Sequence, residues 1–286
     1  MIVAAGLTPA WQQILVFDRL RTGHVNRAKR VVWCGSGKVL NVGAVLHQVG
    51  AKSLTICPVG GLTGQQIRDD FTRRGIPARW LSISTVTRVC TTILDEESGQ
   101  TTELVENSHP LSEAELDEYA TAFSEDAREA NVVVLSGSLP QGTPSSFYKN
   151  LLERTPAKAI LDARGRELIE CLPQQPFLVK PNREELAMTV GRPLESDGDA
   201  VQAMSELRAM GAEWVVVSDG PSPLLVLGPS GLHRIEPPQV KVINPIGCGD
   251  ALCAELAFRI DQKWEVLDAL RKAVTNASVR ASELLP

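Results

Sequence analysis

The 286-residue chain lacks the composition that marks several classes of protein. Only 5% of its residues are aromatic, and its six cysteines are scattered without a Cys-x-x-Cys pair. Cysteines with this spacing indicate neither a zinc site nor a disulfide framework, so the reducing cytoplasm is the expected compartment. The four histidines are isolated from one another, and none has metal-ligand spacing.

An excess of positive charge and long apolar runs are also missing. The formal net charge is −5, which gives no basic footprint for nucleic acid, although local fields still allow an anionic substrate. No apolar run approaches the roughly 20 residues of a membrane-spanning helix. Residues 1–9 lack the positively charged start of a secretory signal. We therefore expect no nucleic-acid partner and no membrane association.

Short apolar runs that alternate with longer helical patterns indicate the fold class. Strands that alternate with helices favour a parallel sheet covered by helices on both faces, and continuous apolar runs suit the middle of such a sheet. The predicted class is therefore α/β. The predicted strands are 2–5, 53–57, 132–135, 159–161, 177–179 and 214–217, and the predicted helices are 40–49, 65–74, 113–128, 145–152, 200–210, 251–260 and 266–285.

Two segments interrupt this alternation. Residues 12–33 and 86–106 contain short strand-like runs with no helix between them. We interpret them as a small β-sheet inserted into the α/β domain, which would act as a lid that excludes water from a reacting phosphate. Two solvent-facing hairpins are the simpler alternative.

The most informative motif is Asn-Pro-Ile-Gly-Cys-Gly-Asp at residues 244–250, which precedes a helical pattern. Glycines allow close approach of the backbone to a ligand, and the free amides of a helix N-terminus attract anions. Asp250 would lie beside that anion, an arrangement that favours phosphoryl transfer with Asp250 as the base. The alternative is an ordinary glycine-rich loop with an aspartate at the start of a helix.

Further turns follow or precede predicted elements. Residues 34–43 look like a phosphate loop but fail the Walker A pattern, because Val39 stands where a Ser or Thr magnesium ligand is required. Residues 136–140 follow an apolar strand, where open α/β sheets bind ligands. Asn182 and Glu185 have the spacing of a capping box, and also of a pair that orients water around Mg²⁺. In residues 60–64, Thr63 is the predicted N-cap.

In this order, the motifs resemble those of the ribokinase-like carbohydrate kinases, also called the phosphofructokinase B family. Residues 7–10, Leu-Thr-Pro-Ala, are similar to the hexose-phosphate branch, which includes 1-phosphofructokinases and tagatose-6-phosphate kinases. The matching segments are 37–42 (Gly-Lys-x-x-Asn-Val), 60–64, 136–140 (Ser-Gly-Ser-Leu-Pro), 180–185 (Lys-Pro-Asn with Glu185) and 247–250 (Gly-x-Gly-Asp).

The resemblance implies a single ribokinase-like domain over residues 1–286. It has three layers, α/β/α, with a mostly parallel central sheet and a β lid from about 12–33 and 86–106 that also forms a homodimer. The implied reaction uses ATP and Mg²⁺ to phosphorylate a hydroxyl of a phosphorylated ketohexose, such as fructose 1-phosphate, fructose 6-phosphate or tagatose 6-phosphate.

The resemblance also implies roles for individual residues. Asp250 would be the base, and the amides of Gly247, Cys248 and Gly249 would stabilise the transferred phosphoryl group. The remaining implied contacts are Gln12, Gly37, Lys38, Asn41, Arg88 and Ser138 for the sugar phosphate, Ser218 and Gly220 for the nucleotide, and Asn182 and Glu185 for Mg²⁺ through water.

Several positions depart from the family pattern. Gln12 replaces an aspartate that binds sugar hydroxyls, and Val39 replaces a glycine and would crowd a sugar. Residues 220–223 read Gly-Pro-Ser-Pro, in which proline removes amide donors from the nucleotide loop. Cys248 replaces alanine at a helix N-terminus, where a thiol pKa is expected to fall. Glu255 replaces a small residue and requires solvent or a partner.

Two alternative functions follow from these departures. One is a kinase of a neutral sugar or nucleoside. The other is a family member that binds sugar phosphate without turnover.

Overall fold

The structure is a computed structural model that describes residues 1–282. The strands are β1 (Ile2–Ala5), β2 (Ala10–Phe17), β3 (Arg30–Ser36), β4 (Ser53–Val59), β5 (Ala78–Ser82), β6 (Val89–Asp95), β7 (Thr101–Val105), β8 (Val132–Ser136), β9 (Lys158–Asp162), β10 (Leu178–Val179), β11 (Trp214–Asp219), β12 (Ser222–Gly228) and β13 (Gly231–Ile235). The helices are α1 (Lys38–Gln48), α2 (Gly61–Arg73), α3 (Glu113–Ala127), α4 (Phe147–Leu152), α5 (Gly165–Cys171), α6 (Arg183–Val190), α7 (Asp197–Ala209), α8 (Cys248–Asp261) and α9 (Val266–Arg280), with a short 3₁₀ helix at Leu172–Gln174.

The larger sheet has nine strands in the order β13-β12-β11-β10-β9-β8-β1-β4-β5. Strands β5 to β11 of this order run parallel, whereas β12 and β13 form an antiparallel hairpin at one edge. The mostly parallel central sheet expected from the sequence is confirmed.

Two apolar clusters cover the two faces of this sheet. Alternate residues of β1 point to opposite faces, so Ile2 belongs to one cluster and Val3 to the other. Helices α1, α2, α8 and α9 contribute to the first cluster, and α3 to α7 contribute to the second. The molecule therefore has the three layers predicted. Across residues 1–282, no helix combines the length and apolar character needed to cross a membrane.

The smaller sheet has four strands in the order β3-β2-β6-β7. Its strands come from the two segments that interrupt the strand–helix alternation, and β2 pairs parallel with β6. A small apolar cluster of Ile14, Val16 and Leu94 lies on one face of it. The small sheet is confirmed, and its action as a lid stays a prediction.

Helices α2 and α9 show the largest differences from the predicted helix boundaries. Helix α2 begins at Gly61 rather than at residue 65, and Thr63 is not its cap, since its hydroxyl donates to the Thr87 carbonyl at 2.5 Å. Gly60 is required because a Cβ there would lie 2.1 Å from the Thr85 carbonyl oxygen, on the segment leading to β6. The predicted helix 266–285 ends at Arg280, and its last residues, 283–285, lie outside the described part.

The elements missed from the sequence lie mainly at edges. Strands β5 and β13 are only partly buried, and exposed and half-buried residues interrupt their apolar positions. A strand with one solvated face lacks the continuous apolar run that marked the central strands. Helix α5 spans only seven residues, too few to show a helical period.

Helix α1 packs closely on β4 because residue 43 has no side chain. A Cβ at Gly43 would lie 2.0 Å from Thr55 Oγ1, and Thr55 is buried. We expect Gly43→Ala to lower the free energy of unfolding by about 1–3 kcal/mol through overpacking, measured by urea denaturation. As a control, Gly198→Ala places its Cβ at 3.4 Å from Ser196 Oγ and should leave stability unchanged or slightly higher. Equal losses in both variants would contradict this explanation.

Candidate active site

Polar and charged residues meet at the carboxyl ends of the parallel strands. Ser136 ends β8, Asp162 ends β9, and Lys180 directly follows β10. The first turn of α8 brings Asp250 to the same edge, where its pKa responds to Asp162 and to both nearby lysines. This is the edge at which open α/β sheets bind ligands.

A network of buried charges lies at this edge. Lys38 Nζ is 3.2 Å from Asp162 Oδ1 and 2.9 Å from Glu185 Oε1. Lys180 Nζ approaches the same Asp162 oxygen at 3.4 Å, and Ser136 Oγ donates to Asp162 Oδ2 at 3.2 Å. Asp162 is 1% exposed and Lys180 is 3% exposed, so each needs the other as a buried partner.

No sequence motif predicted a role for Asp162 or Lys180. The sequence did contain a signal for both residues, since each, like Ser136, lies at the carboxyl end of a buried strand. Burial raises the pKa of a carboxyl, but Lys180 and Lys38 outweigh that effect and hold the Asp162 pKa below its ordinary value. Burial alone would lower the pKa of each lysine. The neighbouring carboxylates have a larger effect in the opposite direction, so both lysine pKa values lie above their ordinary value. All three groups are therefore charged at neutral pH.

Asp250 is buried and oriented by Asn41 of α1. Asn41 Nδ2 donates to Asp250 Oδ2 at 2.7 Å, and Ser36 Oγ donates to Asn41 Oδ1 at 3.0 Å. The family motif implies a substrate contact at Asn41, whereas the structure uses both ends of its amide group to hold Asp250. Asn41 thus fixes the direction of the carboxylate.

The environment of Asp250 brings its titration close to neutrality. Burial is the largest cause, the charge of Asp162 adds to it, and Lys38 and Asn41 oppose it, so that the pKa of Asp250 is raised to about 7. A carboxyl with a pKa near the working pH suits proton transfer. The neighbouring anion and the burial therefore give Asp250 the properties of a general base.

The Gly-x-Gly turn ahead of Asp250 forms the start of α8. Gly247 has φ 83° and is the N-cap, a backbone conformation that favours glycine. The Cys248 amide donates to the Pro245 carbonyl at 3.4 Å. A Cβ at Gly249 would lie 3.5 Å from Lys180 Nζ, so a buried ammonium stands beside the turn. The N-terminus of α8 and the ammonium of Lys180 together favour the binding of an anion at this position.

The expectation of a lowered thiol pKa at Cys248 is wrong. Burial and the charge of Asp250 raise the pKa of Cys248, and Arg280 only partly opposes them. Desolvation and a neighbouring carboxylate therefore outweigh the helix N-terminus. All six cysteines, which lie in the described part, are free thiols.

Two other departures from the family pattern have structural explanations. Val39 is buried in the apolar cluster against Gly6, so its side chain packs in the core and does not crowd a ligand. Glu255 is buried but bonded to Arg259, and Asn276 Nδ2 donates to it at 3.1 Å. The partner that a buried carboxylate requires is thus present.

Predicted sugar-phosphate contacts lie where the small sheet joins the larger domain. Gln12 is buried in β2, and its Nε2 donates to Thr92 Oγ1 at 2.7 Å. Gly37 has φ 93°, and a Cβ there would lie 2.8 Å from the Thr8 carbonyl oxygen. Ser138 is exposed, beside the left-handed Gly137.

Arg88 spans this same junction. Its Nε, Nη1 and Nη2 donate to the carbonyls of Pro9, Glu106 and Thr8 at 3.3, 3.0 and 3.1 Å. A guanidinium has five N–H donors, so these bonds leave two available to a ligand.

Asn182 and Glu185 form a complete capping box at the start of α6. Asn182 Oδ1 accepts from the Glu185 amide at 2.7 Å, and Glu185 Oε2 accepts from the Asn182 amide at 3.0 Å. Because Lys38 binds the other Glu185 oxygen, direct metal ligation would disrupt these contacts, whereas Mg²⁺ held through its waters fits them. Within residues 1–282, no group of three or more His, Cys, Asp or Glu is arranged to hold a metal directly.

The predicted nucleotide contacts lie at the end of β11. The Ser218 amide donates to the Pro181 carbonyl at 3.4 Å, and Ser218 forms a parallel bridge with Asn182. Gly220 is exposed and left-handed, with φ 54°, in the turn that leads into β12. This turn is therefore attached to the start of α6.

Comparison with known proteins agrees with this geometry. Residues 2–284 match the family described as pfkB family carbohydrate kinase. The chain belongs to this family and is a kinase. The motifs at Lys38, Asn182 and Asp250 lie within the matched range.

Solved structures share the whole fold. Phosphofructokinase-2 from Escherichia coli, in its tetrameric inhibited form, is 25% identical with a TM-score of 0.90, over 98% of this chain and 94% of that chain. The same enzyme in complex with fructose-6-phosphate is 25% identical with a TM-score of 0.89, over 99% and 95% of the two chains. A possible 1-phosphofructokinase from Thermotoga maritima is 20% identical with a TM-score of 0.90, over 100% and 94%, and shows the fold alone.

The raised pKa of Asp250 predicts a pH-dependent effect on stability. Because the folded pKa of about 7 exceeds the unfolded value of about 4, the stability contributed by the neutral form is complete below about pH 4 and is lost as the pH rises to about 7. Asp250→Asn keeps the position neutral at every pH. In urea titrations, its free energy of unfolding should exceed that of the parent, and this difference should be smallest at pH 5 and largest at pH 8.

The exposed Asp117 of α3 provides the control. Asp117→Asn should leave the pH profile of the parent unchanged. An Asp250→Asn profile parallel to that of the parent would show that burial does not raise the folded pKa.

Proposed function

We propose that the protein transfers the γ-phosphoryl group of ATP to a hydroxyl of a phosphorylated hexose. The observation that carries this proposal is Asp250, buried behind a Gly-x-Gly helix start and oriented by Asn41. Family membership supports ATP as the co-substrate. The six free thiols fit a reducing cytoplasm, where we place the reaction.

The reaction requires one proton acceptor. The acceptor hydroxyl oxygen attacks the γ-phosphorus, the bond from that phosphorus to the bridging oxygen of ADP breaks, and the hydroxyl proton passes to ionised Asp250. Asn41 keeps the accepting oxygen in position. The turn at Gly247–Gly249 and the neighbouring Lys180 stabilise negative charge on the transferred group.

Asn182 and Glu185 would hold Mg²⁺ through its waters, and the ion would neutralise charge on the phosphates. Glu185 also binds Lys38 at 2.9 Å, so its carboxylate is fixed in direction before any ligand arrives.

The phosphate already on the sugar has a recognisable set of donors. Arg88 keeps two N–H groups free, and Ser138 is exposed at the strand edge. The E. coli enzyme in complex with fructose-6-phosphate has the same fold over almost the full chain, which supports a phosphorylated hexose here. Gln12 carries no charge and donates a hydrogen bond to Thr92. Substrate profiling identifies which arrangement of sugar hydroxyls the site selects.

Activity itself provides the primary test. ADP release should be measured with Mg²⁺–ATP and fructose 1-phosphate, fructose 6-phosphate, tagatose 6-phosphate, fructose, ribose and adenosine. We expect turnover on a phosphosugar, with kcat/KM rising as the pH passes about 7, and a kcat loss of about 10²–10⁴-fold in Asp250→Asn. Turnover only on fructose, ribose or adenosine would indicate the neutral-substrate kinase, and binding without turnover would indicate the non-catalytic alternative.

Arg88 should contribute to phosphosugar affinity more than to ATP affinity. Loss of a charged hydrogen-bond donor in Arg88→Ala should raise KM for the phosphosugar by about tenfold or more, with KM for ATP nearly constant. Arg79→Ala is the matched control, because the partners of Arg79 among residues 1–282 are Glu125, Asp126 and a carbonyl of α3. Equal rises in both KM values would instead assign Arg88 a purely structural role at the junction.

We also propose that the small sheet forms a homodimer. Strand register places Trp33, Leu104 and Val31 on one face of this sheet, and their side chains are 43%, 56% and 48% exposed. An apolar face of this kind is typical of an interface.

Sedimentation tests the dimer. The parent should sediment as a dimer, and Val31→Glu should dissociate it by placing a charge in the interface. The exposed apolar Met210→Glu, at the end of α7, should not. A parent that is monomeric at all concentrations would overturn the proposed dimer.

A further inference from the structure

Arg183 connects three elements behind the turn at the end of β11. It is the first residue of α6, and its Nη1 lies 3.1 Å from Asp219 Oδ2 and 3.1 Å from Asp197 Oδ1. Its Nε donates to the Leu194 carbonyl at 3.3 Å. Since Asp219 ends β11 and Asp197 begins α7, one guanidinium joins the starts of two helices to the end of a strand.

A second arginine completes this cluster. Arg234 Nη1 lies 2.7 Å from Asp197 Oδ2, so two arginines balance two aspartates. Arg183 is the arginine that contacts the turn, because it pairs with Asp219, whereas Arg234 pairs with Asp197. The Arg183–Asp219 pair is therefore the contact to test.

The neighbours of this pair lead directly to the active site. Asn182 precedes Arg183, and Ser218 precedes Asp219, and these two neighbours form a parallel bridge. Glu185 Oε2 accepts from the amide of Asn182, and the other Glu185 oxygen binds Lys38. The turn at 218–222 and the charged network of the site are thus fixed to the same end of α6.

The turn is a hairpin loop closed by the pairing of Asp219 with Ser222, and the β11–β12 ladder is irregular between Val217 and Asp219. Pro221 and Pro223 have no amide hydrogen, and a Cβ at the left-handed, exposed Gly220 would meet no atom within 4 Å. Glycine is the residue most free to change conformation. The Arg183–Asp219 contact fixes the first residue of this hairpin loop against the start of α6.

The geometry of Arg183 suits it to this task. A guanidinium is planar and presents its donors in a fixed fork, whereas a lysine ammonium would act as a single point charge. Its Nη2 is buried and has no hydrogen-bond partner in the described part of the chain, which costs stability.

We infer that Arg183 is a positioning residue that fixes the turn at 218–222 for nucleotide binding. This inference rests on the proposed function for ATP as the ligand of that turn. Arg183 acts through Asp219 and touches no substrate. Its loss should therefore weaken nucleotide binding while sugar binding and the proton transfer to Asp250 continue.

Calorimetric titration with ATP and steady-state kinetics test this inference in the full chain. Arg183→Gln and Asp219→Asn should each weaken ATP binding, and raise KM for ATP, by about tenfold through loss of a charge-assisted bond. KM for the phosphosugar and kcat should stay close to the parent values. Because the two residues share one contact, the double variant should bind ATP no more weakly than the weaker single variant.

Arg192→Gln is the matched control. Arg192 follows α6 and binds both Glu206 oxygens of α7, at 3.0 and 2.6 Å, with comparable exposure and no contact with the turn. It should leave ATP binding unchanged. Melting temperatures identify any variant that fails to fold, and the more exposed Asp219→Asn, with 44% side-chain exposure, then provides the test. Arg183→Lys should recover only part of the loss, because one ammonium cannot reproduce the fork.

The outcomes separate this inference from the proposed function. Unchanged ATP binding in Arg183→Gln and Asp219→Asn, beside an active parent, would overturn the inference alone. A parent that binds ATP without turnover, with binding weakened in both variants, would support the inference and overturn the proposed function. A parent that neither binds ATP nor turns over would overturn both.

Discussion

The electrostatic attraction between the buried Asp162 carboxylate and two ammonium groups organises the active site. A buried charge without a partner costs several kcal/mol, so Lys38 of α1 and Lys180 after β10 must both approach β9. Lys38 extends the constraint to Glu185 and thereby to the start of α6. Four elements are therefore positioned by one carboxylate before any substrate binds.

The same carboxylate influences the chemistry. Its negative charge reinforces the effect of burial on Asp250, whose pKa is raised to about 7, while Lys38 opposes both. Asn41 then fixes the direction of the Asp250 carboxylate with a bond of 2.7 Å. Burial and the neighbouring charges together thus bring the pKa of Asp250 close to neutral pH, while the two lysines keep Asp162 ionised.

Sequence patterns predicted the parts of the fold that are buried on both sides. The runs at β1 and β8 are continuous and apolar because both faces of the central sheet are covered. The edge strands β5 and β13 were missed because each has a solvated face. The start of α2 was placed too late because the helix begins at two glycines, of which Gly60 is required by its close approach to the Thr85 carbonyl. Local propensity does not contain such contacts between distant segments.

The sequence by itself determined the α/β class, the family resemblance, the Gly-x-Gly-Asp helix start and the capping box at Asn182, since each depends on residues close together in the chain. Only the tertiary structure decided what Asp162, Lys180 and Asn41 contact. The Lys38–Asp162 pair joins residues 124 positions apart, and the Asn41–Asp250 pair joins residues 209 apart. The raised pKa of Cys248 follows from burial and a neighbouring carboxylate, which exist only once the chain has folded.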